Sequence, residues 1–458
     1  MTKKIENIKS FILSGNELSL KVKTNMIGLI LIKGYSIAIS FLLIPISLNI
    51  LGNYKYGLWI TIFNMLSMMQ ILDVGIGNGL RNMLTTAIVN NNFKKAKEYI
   101  STAYIVIGFL SLFLCIVFFI PWNYVNWSNI FNSDYSLNSE LRNLIGITFV
   151  LTIISFFFNL INIILLSHHK PAKASMIYAF SNTIILTLFF LFEKELRDHL
   201  FLIGLIYSLV PIVVLFFVSI HLFLTKYNNI RPSFSSFKKN NIKGLFSIGG
   251  KFFIIQVSIL IIFQTDALII SHFLSPSDVT PYNIVYKYFS IPTTVITIIL
   301  TPLWAAYCDA NENSNYKWIK KVLNYQLKGF AIIVAIVFVM LLVSKPLIYF
   351  WLGKNINLSL TLLFSTALFT IINIWNIMLG TFLNGIERIK VQLISNVIGL
   401  IINIPLSIFL IKQFGLGGVL LATSISLLFF SFGGTREVIK VVKGYDTLIL
   451  NKNEKINK

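Results

Sequence analysis

Apolar runs of about twenty residues follow one another along almost the whole chain, separated by short polar segments. A run of that length crosses the roughly 30 Å hydrocarbon core of a bilayer as a helix. Stretches such as 104–120 and 330–343 are apolar on every side, without the period-2 alternation that barrel strands require. The pattern predicts twelve transmembrane helices near 25–48, 58–80, 99–120, 143–166, 175–192, 201–224, 244–273, 281–308, 323–344, 357–384, 391–411 and 417–434. The expected fold class is therefore an all-α polytopic membrane protein.

The longest loop after a basic side, 225–243, carries Lys226, Arg231, Lys238, Lys239 and Lys243 and no acid, and it divides the helices six and six. This gives an N-terminal segment 1–24, an N-lobe 25–224, a basic linker 225–243, a C-lobe 244–434 and a tail 435–458. Both blocks start on the same side of the membrane, so they are expected to be parallel repeats related by an axis along the membrane normal, with substrate between them. Most lysines and arginines fall at the N-terminus, in every second loop and in the tail. The positive-inside rule then puts both termini in the cytoplasm. The first span lacks a small-residue cleavage site and is read as retained.

Composition changes little in that picture. Of 458 residues, 56% are hydrophobic and 12% charged, which excludes an ordinary soluble domain at roughly 25% charged. The net charge of +21 sits in short loops rather than on a soluble surface, so the implied partner is the inner membrane face and its lipids, not nucleic acid. Two cysteines, Cys115 and Cys308, give no disulfide framework, and the scattered histidines and carboxylates give no metal site.

Candidate chemistry lies in the few ionisable residues within spans, because a charge at the bilayer centre costs about 2.5–3.5 kcal/mol on insertion scales. Lys33 and Lys251 lie at matched depths in the first helix of each block, and Lys287 lies in the second helix of the second block. Together they would attract an anion, although a lysine stem also allows the ammonium to snorkel to the interface, the plain reading of Lys328. Asp73 and Asp266 cannot snorkel far. Each either pairs internally or serves as a switch that exchanges a lysine for a proton or Na⁺. Asn78, Arg81 and Gln256 are further candidate cavity residues. The segment Asp73-Val74-Gly75-Ile76-Gly77-Asn78-Gly79-Leu80-Arg81 lacks the third glycine of a dinucleotide loop, and Gly75 with Gly79 forms a small-xxx-small pair suited to close helix packing. Prolines within spans (Pro45, Pro211, Pro292, Pro302, Pro405) provide either hinges or fixed kinks. Tyr54, Tyr56, Trp59, Trp122, Tyr124 and Trp127 fit an outer interfacial aromatic belt.

Several of these segments together resemble the Wzx-type polysaccharide-unit flippases of the multidrug/oligosaccharidyl-lipid/polysaccharide exporter superfamily. They are Tyr56-Gly57-Leu58-Trp59, the Asp73 to Asn82 segment, Tyr99-Ile100-Ser101-Thr102-Ala103-Tyr104, Tyr282-Asn283-Ile284-Val285-Tyr286-Lys287, Thr301-Pro302-Leu303-Trp304, Phe382-Leu383-Asn384-Gly385 and Gly415-Leu416-Gly417-Gly418-Val419. The second block lacks a copy of the Asp-x-Gly-x-Gly segment. The resemblance implies a two-lobed, MATE-like alternating-access transporter of the bacterial cytoplasmic membrane. Its substrate would be an undecaprenyl-pyrophosphate-linked oligosaccharide destined for O-antigen or capsule, with a polysaccharide polymerase and chain-length regulator as neighbours. No cofactor is implied beyond H⁺ or Na⁺ coupling. Rival readings are a cation-coupled multidrug exporter, a lipid II flippase, and a membrane glycosyltransferase or polymerase. The last needs a substantial catalytic outer loop, and the longest one, 121–142, holds only Asp134, Glu140 and Arg142.

Overall fold

The structure, a computed structural model, describes residues 17–69, 75–122, 124–168 and 170–456. Twelve long helices carry nearly all of them: α1 (Glu17–Met68), α2 (Ile76–Val89), α3 (Phe93–Phe119), α4 (Asn138–Ser167), α5 (Pro171–Leu191), α6 (Leu200–Leu224), α7 (Asn240–Phe273), α8 (Pro276–Glu312), α9 (Tyr316–Leu342), α10 (Leu360–Gly385), α11 (Lys390–Phe414) and α12 (Leu416–Ile456). Short helical turns lie between some of them. Among the described residues ten helices are long and apolar enough to span a membrane. Their outward side chains are apolar too: Phe109, Leu112 and Phe338 are exposed, as a lipid-facing surface demands.

The apolar part of α1 runs 39 residues from Ile30 to Met68, about 58 Å at 1.5 Å per residue, twice what one crossing needs. Gly52 resolves this. Its φ of 68° and ψ of 176° break the helical ladder and turn one expected span into the next. The second of those spans also ends earlier than expected, at Met68. The chain resumes a helix at Ile76, after Gly75 in the left-handed conformation (φ 73°). Helices α1, α6 and α11 continue through Pro45, Pro211 and Pro405.

The chain forms two compact units. The first comprises residues 1–52, 69–127 and 135–253; the second comprises 53–68, 128–134 and 254–458. Residues 53–68 and 128–134, which precede the basic loop 225–243, count with the second unit, and 244–253, which follow it, with the first.

In the first unit, α4 packs along α6, and α3 packs on α2 and α4. Ser233 N–H donates to Ser101 Oγ (3.0 Å) and Lys238 N–H to Thr102 Oγ1 (3.2 Å), pinning the basic loop to α3. At Gly79 the carbonyl of Leu245 lies where a Cβ would project, so the small-xxx-small segment does bring backbones together.

The second unit is built around α12, which packs extensively on α10 and α11. Asn376 anchors one contact, donating from Nδ2 to the Leu427 carbonyl (2.9 Å) and accepting from Ser431 Oγ (2.7 Å). One end is knitted by residues far apart in sequence. Tyr56 Oη donates to Asn283 Oδ1 (3.1 Å), Thr280 Oγ1 to the Asn53 carbonyl (2.6 Å), and Ser271 Oγ to the Phe131 carbonyl (2.6 Å). Tyr56, Trp59 and Trp127 are at most 5% exposed, so these rings are packing residues rather than members of a lipid-facing belt. Tyr124, at 90% exposed, remains available to an interface.

Candidate functional site

Asp266, on α7, is a buried carboxylate of the second unit, 2% exposed. Four helices supply its surroundings. Tyr282 on α8 donates its phenol to Asp266 Oδ2 at 3.0 Å. Thr423 on α12 has its hydroxyl 3.5 Å from Oδ1 and 3.4 Å from Oδ2, and 3.2 Å from the Val419 carbonyl, so its one proton is shared between competing acceptors. Asn403 on α11 completes the chain of contacts, its Nδ2 lying 3.2 Å from Thr423 Oγ1 and 3.5 Å from Ser426 Oγ.

Small residues make this convergence possible. A Cβ on Gly399 would meet the Ser426 carbonyl, so α11 and α12 touch backbone to backbone one turn before Asn403. Gly418 likewise lies against the backbone of Leu410, and Gly417 against that of Thr361. The run Ala422-Thr423-Ser424-Ile425-Ser426 then presents hydroxyls where larger side chains would hold the helices apart.

The balance of donors and acceptors at this site is uneven. Asn403 Oδ1 and Ser407 Oγ are buried without a hydrogen-bond partner, which for a buried polar group costs about 1–3 kcal/mol. Asp266, with two oxygens and one well-placed neutral donor, is likewise short of compensation for its desolvation. A carboxylate, an amide oxygen and two hydroxyl oxygens form the kind of oxygen-rich set that suits a proton or a small hard cation. Groups of three or more His, Cys, Asp or Glu able to hold a transition metal are absent among the described residues.

The remaining candidates divide between the units. Lys287, half-buried on α8, shares the second unit with Asp266 and follows Tyr286, whose ring packs against Tyr282 (6.0 Å between centroids) and Phe369 (5.7 Å). Lys33, Asn78 and Arg81 belong to the first unit: Lys33 and Asn78 are half-buried and Arg81 is exposed. On α2, Asn78 begins a polar stripe at four-residue spacing with Asn82, Thr86 and Asn90. Asn82, Thr86 and Asn90 line a polar cavity of about 280 Å³ together with Asn92, Lys95 and Tyr99. Asp73 and the side chains of Lys251 and Gln256 lie outside the described residues. Tyr282, Asn403 and Thr423 were not singled out as site residues from the sequence. The available signal was an asparagine in the middle of an apolar span, four residues after a glycine.

The fold defines the class: an all-α polytopic membrane protein with the fold of the MATE transporters. An inward-facing multidrug resistance MATE transporter of the MOP superfamily superimposes with a TM-score of 0.75 at 13% identity, covering 89% of this chain and 96% of that one. An outward-facing structure of such a transporter gives 0.64 at 14% identity, covering 92% and 96%. More particularly, the chain belongs to the family described as polysaccharide biosynthesis protein, whose model matches residues 22–305; a MatE model matches 252–409. Relatives include a protein of Salmonella typhimurium named for O-antigen transport, 24% identical over 91% of this chain and 95% of its own length. Another, from Yersinia pseudotuberculosis and named for O-antigen export, is 23% identical over 79% and 82%.

Proposed function

We propose that this protein is a flippase for lipid-linked oligosaccharide repeat units, moving them from the inner to the outer leaflet of a bacterial cytoplasmic membrane for cell-surface polysaccharide assembly. The observation that carries this reading is the nearly end-to-end similarity to an O-antigen transporter on a MATE-type fold. The function is transport, not catalysis. In this reading 25–224 and 244–434 act as two lobes related by a parallel repeat, with both termini in the cytoplasm. Lys33, Lys251 and Lys287 attract the anionic pyrophosphate of an undecaprenyl-linked substrate, with Asn78, Arg81 and Gln256 lining its path.

Asp266 supplies the coupling. Its short supply of donors favours two alternatives to a bare carboxylate, a bound proton or a bound Na⁺ with Asn403 Oδ1 and the Thr423 hydroxyl as further oxygens. Asp73 is assigned the corresponding switch in the first half. A multidrug exporter shares the fold, but a cationic drug favours acidic cavity residues over lysines.

Depleting the protein in its native cell and determining the leaflet of the accumulated lipid-linked glycans tests the reading. Complete units confined to the cytoplasmic leaflet are expected, and an unchanged leaflet distribution overturns it. In proteoliposomes, Asp266→Asn should retain passive exchange of the glycolipid while losing its response to H⁺ or Na⁺ gradients. A full gradient response in that variant refutes the coupling role.

A further inference from the structure

Three lysines meet in the first unit where α4 ends, α5 begins and α6 ends. Lys170 is the residue that starts α5, Lys173 lies in its first turn, and Lys226 follows α6 by two positions. Lys170 Nζ donates to Tyr227 Oη at 3.3 Å and sits 5.5 Å from the centre of that ring. Tyr227 is itself buried, and the His168 imidazole packs against it with ring centres 4.5 Å apart. Lys170 is thus held in place rather than free to fan into water.

This arrangement differs from that of ordinary lysines at a membrane surface, which gain from staying hydrated and apart. Burial, then the neighbouring charges of Lys226 and Lys173, push the Lys170 ammonium down to about 8. No carboxylate takes part in that charge environment among the described residues, and the whole loop 225–243 is without an acid. The start of α5 adds to the imbalance. Pro171 occupies its first turn, no side chain caps it, and the backbone N–H groups that follow carry the positive end of a 21-residue helix. Like charges held together in this way are costly until a polyanion joins them.

We infer that Lys170, Lys173 and Lys226, with the uncapped start of α5, form a binding site for a phosphate group bearing two negative charges, a phosphomonoester or diphosphate. Three ammoniums gathered at the start of α5 match such a dianion better than the single charge of a phosphodiester. The site involves none of the Asp266 residues, and the inference stands independently of the transport reading.

The test uses the full-length protein in detergent and an amine-acylating reagent at pH 8, with modification of Lys170 followed by mass spectrometry. Inorganic pyrophosphate should slow Lys170 labelling about fivefold or more, since at pH 8 a rise of one unit from about 8 takes the reactive neutral fraction from about a half to about a tenth. Lys194, in a different loop, serves as the internal control and should be unaffected. In nanodiscs, a minority of phosphatidic acid should protect Lys170 if the dianion is carried on a lipid, and phosphatidylglycerol should not. Protection by pyrophosphate alone assigns a soluble phosphate; protection by phosphatidic acid assigns a membrane-borne one. Lys226→Gln, a change at an exposed residue, should abolish most of the protection. Labelling unaffected by either dianion, equal protection by phosphatidylglycerol, or full protection in Lys226→Gln would each overturn the inference.

Discussion

Gly57→Ala is expected to pry open one end of the second unit. The added Cβ would fall on the Pro276 carbonyl, a backbone atom that has no rotamer by which to move aside. Pro276 is further held by Ser275, whose hydroxyl accepts from the Asp278 N–H (3.3 Å) as α8 begins. Overpacking of this kind costs about 1–3 kcal/mol, and contact with backbone puts Gly57 at the upper end. The ratio of molecules in which residues 53–61 rest on α8 to those in which they do not should then fall by a factor of about 5–150. The assay is a cysteine pair at Asn53 and Thr280, whose carbonyl and hydroxyl are 2.6 Å apart, in a protein with Cys115 and Cys308 replaced by serine. Cross-linking by a short bifunctional reagent should slow, most clearly under mildly destabilising conditions where the two arrangements are comparably populated. Gly329→Ala on α9 is the control: no atom lies within 4 Å of its Cβ position, so it should be neutral or slightly stabilising through better helix propensity. An unchanged cross-linking rate in Gly57→Ala, at equal protein level, would refute the close-packing argument.

Gly79→Ala should have a parallel effect in the first unit, where its Cβ meets the Leu245 backbone; limited proteolysis within 225–243 should quicken, and an unaltered rate would count against it. Asn376→Ala should lower thermal stability by about 1–3 kcal/mol, because it strips partners from the Leu427 carbonyl and the Ser431 hydroxyl, while Glu437→Gln, at the exposed Arg388 ion pair, should cost less than about 1 kcal/mol. Lys170 gives a pH signature. Its folded pKa lies below that of the unfolded chain, so its destabilising effect is full below about pH 8 and disappears towards the ordinary lysine value. In phosphate-free buffer the stability advantage of Lys170→Gln over the parent should therefore shrink as pH rises through that window. A constant difference in melting temperature would contradict the assignment.

Spans were legible because bilayer thickness imposes a length that a run of Ile, Leu and Phe reveals locally. Asp266 was legible for a related reason: an aspartate in an apolar run has no long stem with which to escape. Its partners were not, since Tyr282 lies 16 residues away and Thr423 lies 157 away, distances over which only tertiary packing decides contact. Tyr56 shows the opposite failure. A tyrosine near the end of a span suits an interface, yet here its hydroxyl meets Asn283, 227 residues distant, and the ring is buried. The early end of the second span at Met68 was equally hidden, because Leu72 and Val74 extend the apolar pattern to Gly75, where the left-handed backbone precludes a continuous helix.

Because residues 53–68 and 128–134 belong to the second unit while the chain on either side of them belongs to the first, the polypeptide is sewn through both bodies more than once. A fragment beginning at residue 244 would lack Asn53, Tyr56 and Phe131, the partners of Thr280, Asn283 and Ser271. It should not mature alone, whereas two fragments made together and broken within 225–243 should find each other and remain joined. During synthesis the same stitching obliges residues 53–68 to wait in the membrane, their final neighbours unmade, until α8 has left the ribosome.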